Sequence, residues 1–208
     1  QHYKDAVDHE FFFHAVRTGE LVVPGKDAVF DKEIKNTADF WSINLYTREM
    51  VDARRADFSS KRYPFTETRM LPMHFYLDEF FPECMIHNLT RLMDKPVYIT
   101  ENGCSCDNDD FRIVYLTEYL CALNEAIKAG VDVRGYLYWS LLDNYEWWTF
   151  IPRFGLVSVD KENNFKRIPK PSAYFYKEII ENNGFKPEML KKYLKEMPRV
   201  DGALPILL

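Results

Sequence analysis

The sequence predicts an α/β fold in which parallel strands alternate with crossover helices. Three runs rich in β-branched and aromatic residues read as strands, at 38–46, before Glu101 and before Trp139. Apolar residues recur at helical spacing over 82–93 and 110–129. Strand, helix, strand, helix, strand at this spacing argues for parallel strands joined by crossover helices.

Taken in order, residues 3–16 carry Ala6, Val7, Phe11 and Ala15 at helical spacing, and Thr18-Gly19 supplies a stop. The strand at 38–46 ends at two polar groups, Asn44 and Tyr46, which alternation puts on one face. Residues 48–69 have no clear period and read as an extended loop, a length that in compact domains is usually functional or mobile. Pro82-Glu83 opens a helix with Met85, Leu89, Leu92 and Met93 as its apolar stripe, closed before Pro96. The Glu101 strand follows. A longer helix over 110–129 buries Ile113, Leu116, Leu120, Leu123 and Ile127, with Gly130 as its C-cap. Beyond the Trp139 strand, Phe154-Gly155-Leu156-Val157 leads into an excursion around Asp160-Lys161-Glu162-Asn163-Asn164 that returns through Phe165-Lys166-Arg167. Pro171-Ser172 starts a helix through Ile180, and 186–194 forms one more amphipathic helix.

Composition bounds the function. With 208 residues, 47% of them hydrophobic, the chain has material for one globular domain with a core. The net charge of −5 is mild and the basic residues are scattered, so neither nucleic acid nor a membrane surface is an expected partner. The longest apolar runs fall short of the roughly 20 residues that a membrane span needs. The chain opens with Gln1 and shows no signal-peptide core. That opening reads as a processed or truncated chain, so the missing signal says little about location. Cys84, Cys104, Cys106 and Cys121 make no metal pattern, since Cys104-Ser105-Cys106 is too close and lacks a second pair. They read as free thiols of a reducing compartment, and a cytoplasmic setting is expected over a secreted one. A redox clamp between Cys104 and Cys106 is disfavoured by the strain of so short a loop. Asn88-Leu89-Thr90 matches a glycosylation sequon but falls within a predicted helix. No metal or cofactor is expected.

Val97-Tyr98-Ile99-Thr100-Glu101-Asn102-Gly103 delivers a carboxylate from a strand end into a Gly-terminated turn. In barrels of alternating strands and helices such ends line the active site. An N-cap or surface ion-pair Glu explains the local pattern equally well. A second segment breaks the tie: Trp139-Ser140-Leu141-Leu142-Asp143-Asn144-Tyr145-Glu146-Trp147, followed by Arg153-Phe154-Gly155. Together the two resemble the C-terminal part of glycoside hydrolase family 1, the retaining β-glucosidases and β-galactosidases. That family's nucleophile motif reads Thr-Glu-Asn-Gly, and its last barrel strand ends in Trp-Ser-Leu-Leu-Asp-Asn-x-Glu-Trp. The resemblance covers residues 9–185 and implies a partial (β/α)8 TIM barrel, the strand 6 to strand 8 portion with its helices. Residues 1–185 are then the C-terminal part of the barrel, and 186–208 a C-terminal helical extension.

The resemblance also assigns roles. Glu101 is the expected nucleophile and Tyr46 the donor of a hydroxyl to its carboxylate, with Asn44 beside it. Trp139 offers a flat face for a sugar ring, Glu146 and Trp147 hydrogen-bond sugar hydroxyls, and Phe150 lines the leaving-group entrance. A strand end with wet polar tips, a core tryptophan and a surface loop Glu are the plainer readings of the same residues. Glu146 argues against a phosphorylated sugar, because like charges repel. The stretch Trp148-Thr149-Phe150-Ile151-Pro152-Arg153 runs a residue shorter than is common in the family.

Retaining glycosidases need two carboxyl groups about 5 to 5.5 Å apart. The family's acid/base lies in an Asn-Glu-Pro motif, whereas the only Asn-Glu here, Asn124-Glu125, precedes Ala126 inside a helix and reads as a solvated pair. Two functions stay open. One is the nucleophile portion of a β-glycosidase acting on small β-glycosides or oligosaccharides, incomplete alone and completed by an N-terminal barrel portion. The other is a non-catalytic family remnant that binds carbohydrate or a protein partner. In either, unpaired strand edges lead us to expect self-association.

Overall fold

The computed structural model describes residues 5–48 and 79–198. Beyond Arg48, the loop expected over 48–69 lies outside the described residues. A π-helical turn, Ala6–Glu10, leads into α1 (Phe11–Thr18), which stops where expected. Gly19 takes φ +84°, a conformation that favours glycine, and its N–H caps the Ala15 carbonyl. A short antiparallel ribbon, β1 (Glu20–Leu21) and β2 (Val29–Phe30), precedes β3 (Trp41–Asn44). Then come α2 (Cys84–Leu89), β4 (Val97–Asn102), α3 (Asp109–Lys128) and β5 (Val133–Tyr138). The antiparallel hairpin of β6 (Val157–Asp160) and β7 (Lys166–Pro169) accounts for the excursion near Asp160. Helices α4 (Pro171–Asn182) and α5 (Pro187–Tyr193) follow, each with proline in its first turn.

The central sheet has the order β3-β4-β5 and is parallel throughout. Trp41 pairs with Val97, Ile43 with Ile99, and Asn102 with Tyr138. Bulges fall between Ile43 and Asn44, and between Ile99 and Asn102, with a further register shift between Val97 and Tyr98. The second breaks the alternation of β4, so Asn102 turns into the core beside a half-buried Glu101.

Helix α3 packs against two hydrophobic clusters at once. Tyr115, Tyr119, Ala122, Leu123 and Ala126 join Trp41, Met85, Leu89, Val97 and Ile99 beneath the sheet. Ile113 and Leu116 face Tyr138, Leu156, Phe175, Ile179 and Leu190 under α4 and α5. The buried arc is therefore wider than the expected stripe and rotated away from its C-terminal end. Ile127 is 46% exposed, which corrects its placement in the core. Met93 corrects likewise at 49% exposed: α2 tightens into a 3₁₀ turn over Thr90–Leu92, and the larger angular step carries Met93 off the stripe.

Two polar knots hold the strand ends and the loops beyond them. The buried Asn102 amide donates to the Leu45 carbonyl at 2.7 Å and the Tyr115 hydroxyl at 2.9 Å, and accepts from the Tyr136 hydroxyl at 2.6 Å. One side chain thus ties β4 to the end of β3, to β5 and to α3. The buried Arg112 donates to Asp109 at 2.5 Å and to the carbonyls of Cys106 at 2.9 Å and Arg153 at 2.5 Å. Asp109 in turn accepts from the Ser172 N–H at 2.7 Å and hydroxyl at 2.8 Å, fixing the start of α4. After α5, the Lys195 and Glu196 N–H groups bond Asp110, so this stretch of the 186–208 segment rests on the first turn of α3.

At the opposite end of the sheet, Arg17 and the Trp41 indole both donate to Asp94. The Arg17 guanidinium holds the Asp94 carboxyl at about 2 instead of 3.8. Because the folded-state value is depressed, the stabilisation is present above about pH 4 and is lost as pH falls toward about 2. Asp94 is 41% exposed, so Asp94→Asn is expected to cost about 1 kcal/mol or less at neutral pH and to flatten the melting temperature over that acid window. Asn102→Ala strands a carbonyl and two phenols in the core, and denaturant titration should find it less stable by about 3 kcal/mol.

Candidate active site

Glu101 stands at the C-terminal end of β4, one residue before the buried Asn102. The Tyr46 hydroxyl donates to its Oε2 at 3.0 Å. Tyr46 lies two residues past the end of β3, whose last rung pairs Asn44 with Glu101, and the Leu45 N–H bonds the Glu101 carbonyl at 2.9 Å. Asn44 sits across the ladder from Glu101, but its amide oxygen accepts from the Thr100 hydroxyl at 2.8 Å, which in turn accepts from Ser42 at 3.1 Å. The bulge at Asn44 gives the two polar strand-end residues different partners on β4.

The two motif segments meet backbone to backbone. The Trp139 N–H donates to the Asn102 carbonyl at 2.8 Å. A Cβ on Gly103 would collide with the Trp139 carbonyl, which is why the turn after Asn102 needs glycine. Trp139 follows β5 directly, and its indole N–H donates to Glu146 Oε1 at 2.8 Å. Glu146 is only 7% exposed, so this bond fixes the carboxylate. Asp143 anchors the same loop from behind: it accepts from the Gly155 N–H at 2.9 Å and from Lys170 at 3.3 Å.

Between Glu146 and Thr149 the backbone closes a two-residue turn with bonds in both directions, 2.8 and 3.0 Å long. Its central residues, Trp147 and Trp148, both take positive φ, at 38° and 77°. This is the dihedral signature of a type I′ turn, normally occupied by Asn and Gly. The segment that runs a residue short thus becomes a tight reversal, with Trp147 at 75% and Trp148 at 87% exposure. Phe150 is also exposed, packs edge-on against Tyr145 at 4.9 Å and carries the Lys161 ammonium 3.3 Å from its ring centre. Asn124 and Glu125 lie exposed on α3, where Glu125 pairs with Lys128 at 2.7 Å.

The phenols around the site are donors. Burial pushes Tyr115, Tyr119 and Tyr136 well above the ordinary tyrosine range, so each keeps its proton. Cys104 and Cys106 lie buried just past the Gly103 turn as free thiols, their sulfurs 3.8 Å apart. Burial raises the Cys104 thiol, whereas the hydrogen bond from Cys104 lowers that of Cys106. Two structural anchors escaped the sequence reading. Asn102 ends a strand whose Val97 and Ile99 are buried, and Arg112 sits between Phe111 and Ile113 on a buried helix.

The family model "Glycosyl hydrolase family 1" matches residues 15–185. The β-galactosidase of Saccharolobus solfataricus is 35% identical over 91% of this chain, and the lactase/phlorizin hydrolase of Homo sapiens 46% identical over 74% of it. The chain spans 40% of the first relative's length and 9% of the second's. Among solved structures, the β-glycosidase from Pyrococcus horikoshii superposes over 100% of this chain and 47% of its own, with a TM-score of 0.77 at 31% identity. The family 1 β-glucosidase from Thermotoga maritima gives a TM-score of 0.74 over 89% of this chain. The β3-β4-β5 sheet and its helices are part of a (β/α)8 barrel, with no closed barrel among the described residues. A family model that matches all but the two ends of the sequence leaves one assignment: the chain belongs to glycosyl hydrolase family 1.

Proposed function

We propose that the chain supplies the nucleophile side of a retaining β-glycosidase site acting on neutral β-glucosides or related β-glycosides. The observation that carries this reading is the 3.0 Å hydrogen bond from Tyr46 to Glu101 at the end of a barrel strand. A nucleophilic carboxylate has to be held in one orientation, and a phenol donating to one oxygen does that. With Oε2 held, Oε1 attacks the anomeric carbon. The glycosidic bond breaks, its electrons leave with the departing oxygen, and a glycosyl ester forms on Glu101. Water then cleaves that ester and restores the carboxylate.

Trp139 is the platform for the sugar ring, and Glu146, oriented by the Trp139 indole, accepts from sugar hydroxyls. Trp147 joins Glu146 at the sugar hydroxyls, Phe150 lines the leaving-group side, and Asn44 lines the strand end beside Glu101. The Glu146 charge disfavours sugar phosphates. The second carboxyl group comes from a segment bearing the earlier barrel strands, since the sequence contains no Asn-Glu-Pro. The β-galactosidase and the 1,4-β-D-glucan glucohydrolase of Thermotoga neapolitana among the relatives are consistent with this substrate class.

A 2-fluoro β-glycoside with a good leaving group bypasses the acid. Incubated with the chain, with and without a segment carrying the earlier strands, it should leave one sugar on the peptide containing Glu101 by mass spectrometry. Glu101→Gln should leave none, and an unlabelled Glu101 under both conditions would sink the nucleophile assignment. Tyr46→Phe removes a charge-assisted bond worth about 1.5–3 kcal/mol and should slow labelling roughly ten- to a hundredfold. Equal rates for Tyr46→Phe and the parent would deny Tyr46 its role.

A further inference from the structure

Tyr46 holds Glu101, yet it stands beyond the last rung of its strand, so its own position needs a cause. Its carbonyl accepts from the Tyr119 hydroxyl at 2.5 Å, with the Tyr115 hydroxyl at 3.5 Å from the same oxygen. Both phenols come from α3, one turn apart, and their rings stack at 4.1 Å with an interplanar angle of 16°. Tyr119 is fully buried and Tyr115 nearly so. The Tyr119 oxygen also accepts from the Phe81 N–H at 3.2 Å, which fixes the direction of its own proton. Tyr115 is fixed by the Asn102 amide at 2.9 Å.

From this we infer that Tyr119 is a positioning residue for the nucleophile: by gripping the Tyr46 carbonyl from the helix behind the sheet, it sets where the Tyr46 hydroxyl meets Glu101. The path has two links. The Tyr119 hydroxyl fixes the Tyr46 carbonyl, and that backbone position is the anchor from which the Tyr46 ring reaches Glu101. Phenylalanine at 119 keeps the stacked ring and deletes the grip, so the Tyr46 backbone relaxes and the contact with Oε2 loosens. Misplacement of about an ångström beside reacting atoms is enough to lower rates by roughly a hundredfold. The role rests on the reading of Glu101 and Tyr46 given under the proposed function.

The test is a double-variant cycle read by NMR on the full chain carrying tyrosine labelled with carbon-13 at Cζ. The Tyr46 signal is assigned by its loss in Tyr46→Phe. In the parent background Glu101→Gln should shift this signal, because an amide replaces the carboxylate as acceptor. In the Tyr119→Phe background the same replacement should leave it nearly still. Equal shifts in both backgrounds overturn the positioning role while leaving the Tyr46–Glu101 contact intact. No shift in the parent background removes the contact itself, and with it the site reading on which the role depends. If Tyr119→Phe fails to fold, Tyr119→Met removes the donor together with the ring, and the same two shifts are compared there. Where the parent is labelled by the 2-fluoro glycoside, Tyr119→Phe should lower the maximal labelling rate with little change in the concentration giving half that rate.

Discussion

The hydrogen bonds of one buried amide, Asn102, fix the relation between the three strand ends. Parallel strands carry no hairpin to set their register, and at their C-terminal ends the ladder is already broken by bulges. A side chain with two donors and an acceptor replaces the missing rungs: it holds Leu45 just past β3, Tyr136 from β5 and Tyr115 from α3. Each partner is itself buried or half-buried, so the arrangement has little freedom to slip. Glu101 is its neighbour in the chain and Leu45 its partner across the sheet. Tyr46 and Trp139 begin where this knot ends.

The loops beyond the strands are braced by a second device of different chemistry. Arg112 brings a full charge into the core, and its cost is offset by Asp109 and by two backbone carbonyls that have no ladder to join. The carbonyls belong to Cys106, after the Glu101 turn, and to Arg153, after the Trp147 turn. One guanidinium therefore couples the two loops that follow β4 and β5. Helix α3 carries Arg112, Tyr115 and Tyr119 on successive turns, and so serves as the rear support of the whole strand-end face.

Much of this was legible in the sequence. The β4 and β5 strands, the long helix between them and the helix at Pro171 follow from periodicity and punctuation, and Glu101 with Tyr46 from motifs long enough to be specific. What escaped reading is set by tertiary partners. Asn102 stands in the motif, but the letters do not say whether its amide meets substrate or core. Arg112 three residues after Asp109 resembles an ordinary surface helix pair, and only two clusters closing around α3 bury it. Ile127 and Met93 fit the helical period, yet the wide buried arc of α3 and the 3₁₀ turn after α2 leave them outside. The opposed polar partners of Asn44 and Tyr46 depend on a bulge that alternation cannot foresee.

On the proposed reading of the site, the tight turn at Trp147 and Trp148 changes what must be ordered when a ligand is met. A longer loop would have to give up conformational freedom each time a molecule settled against it, and that loss subtracts from affinity. Here the backbone that carries the two indoles is already closed by hydrogen bonds in both directions. In that reading, contact with this turn costs little backbone ordering, so discrimination there rests on shape.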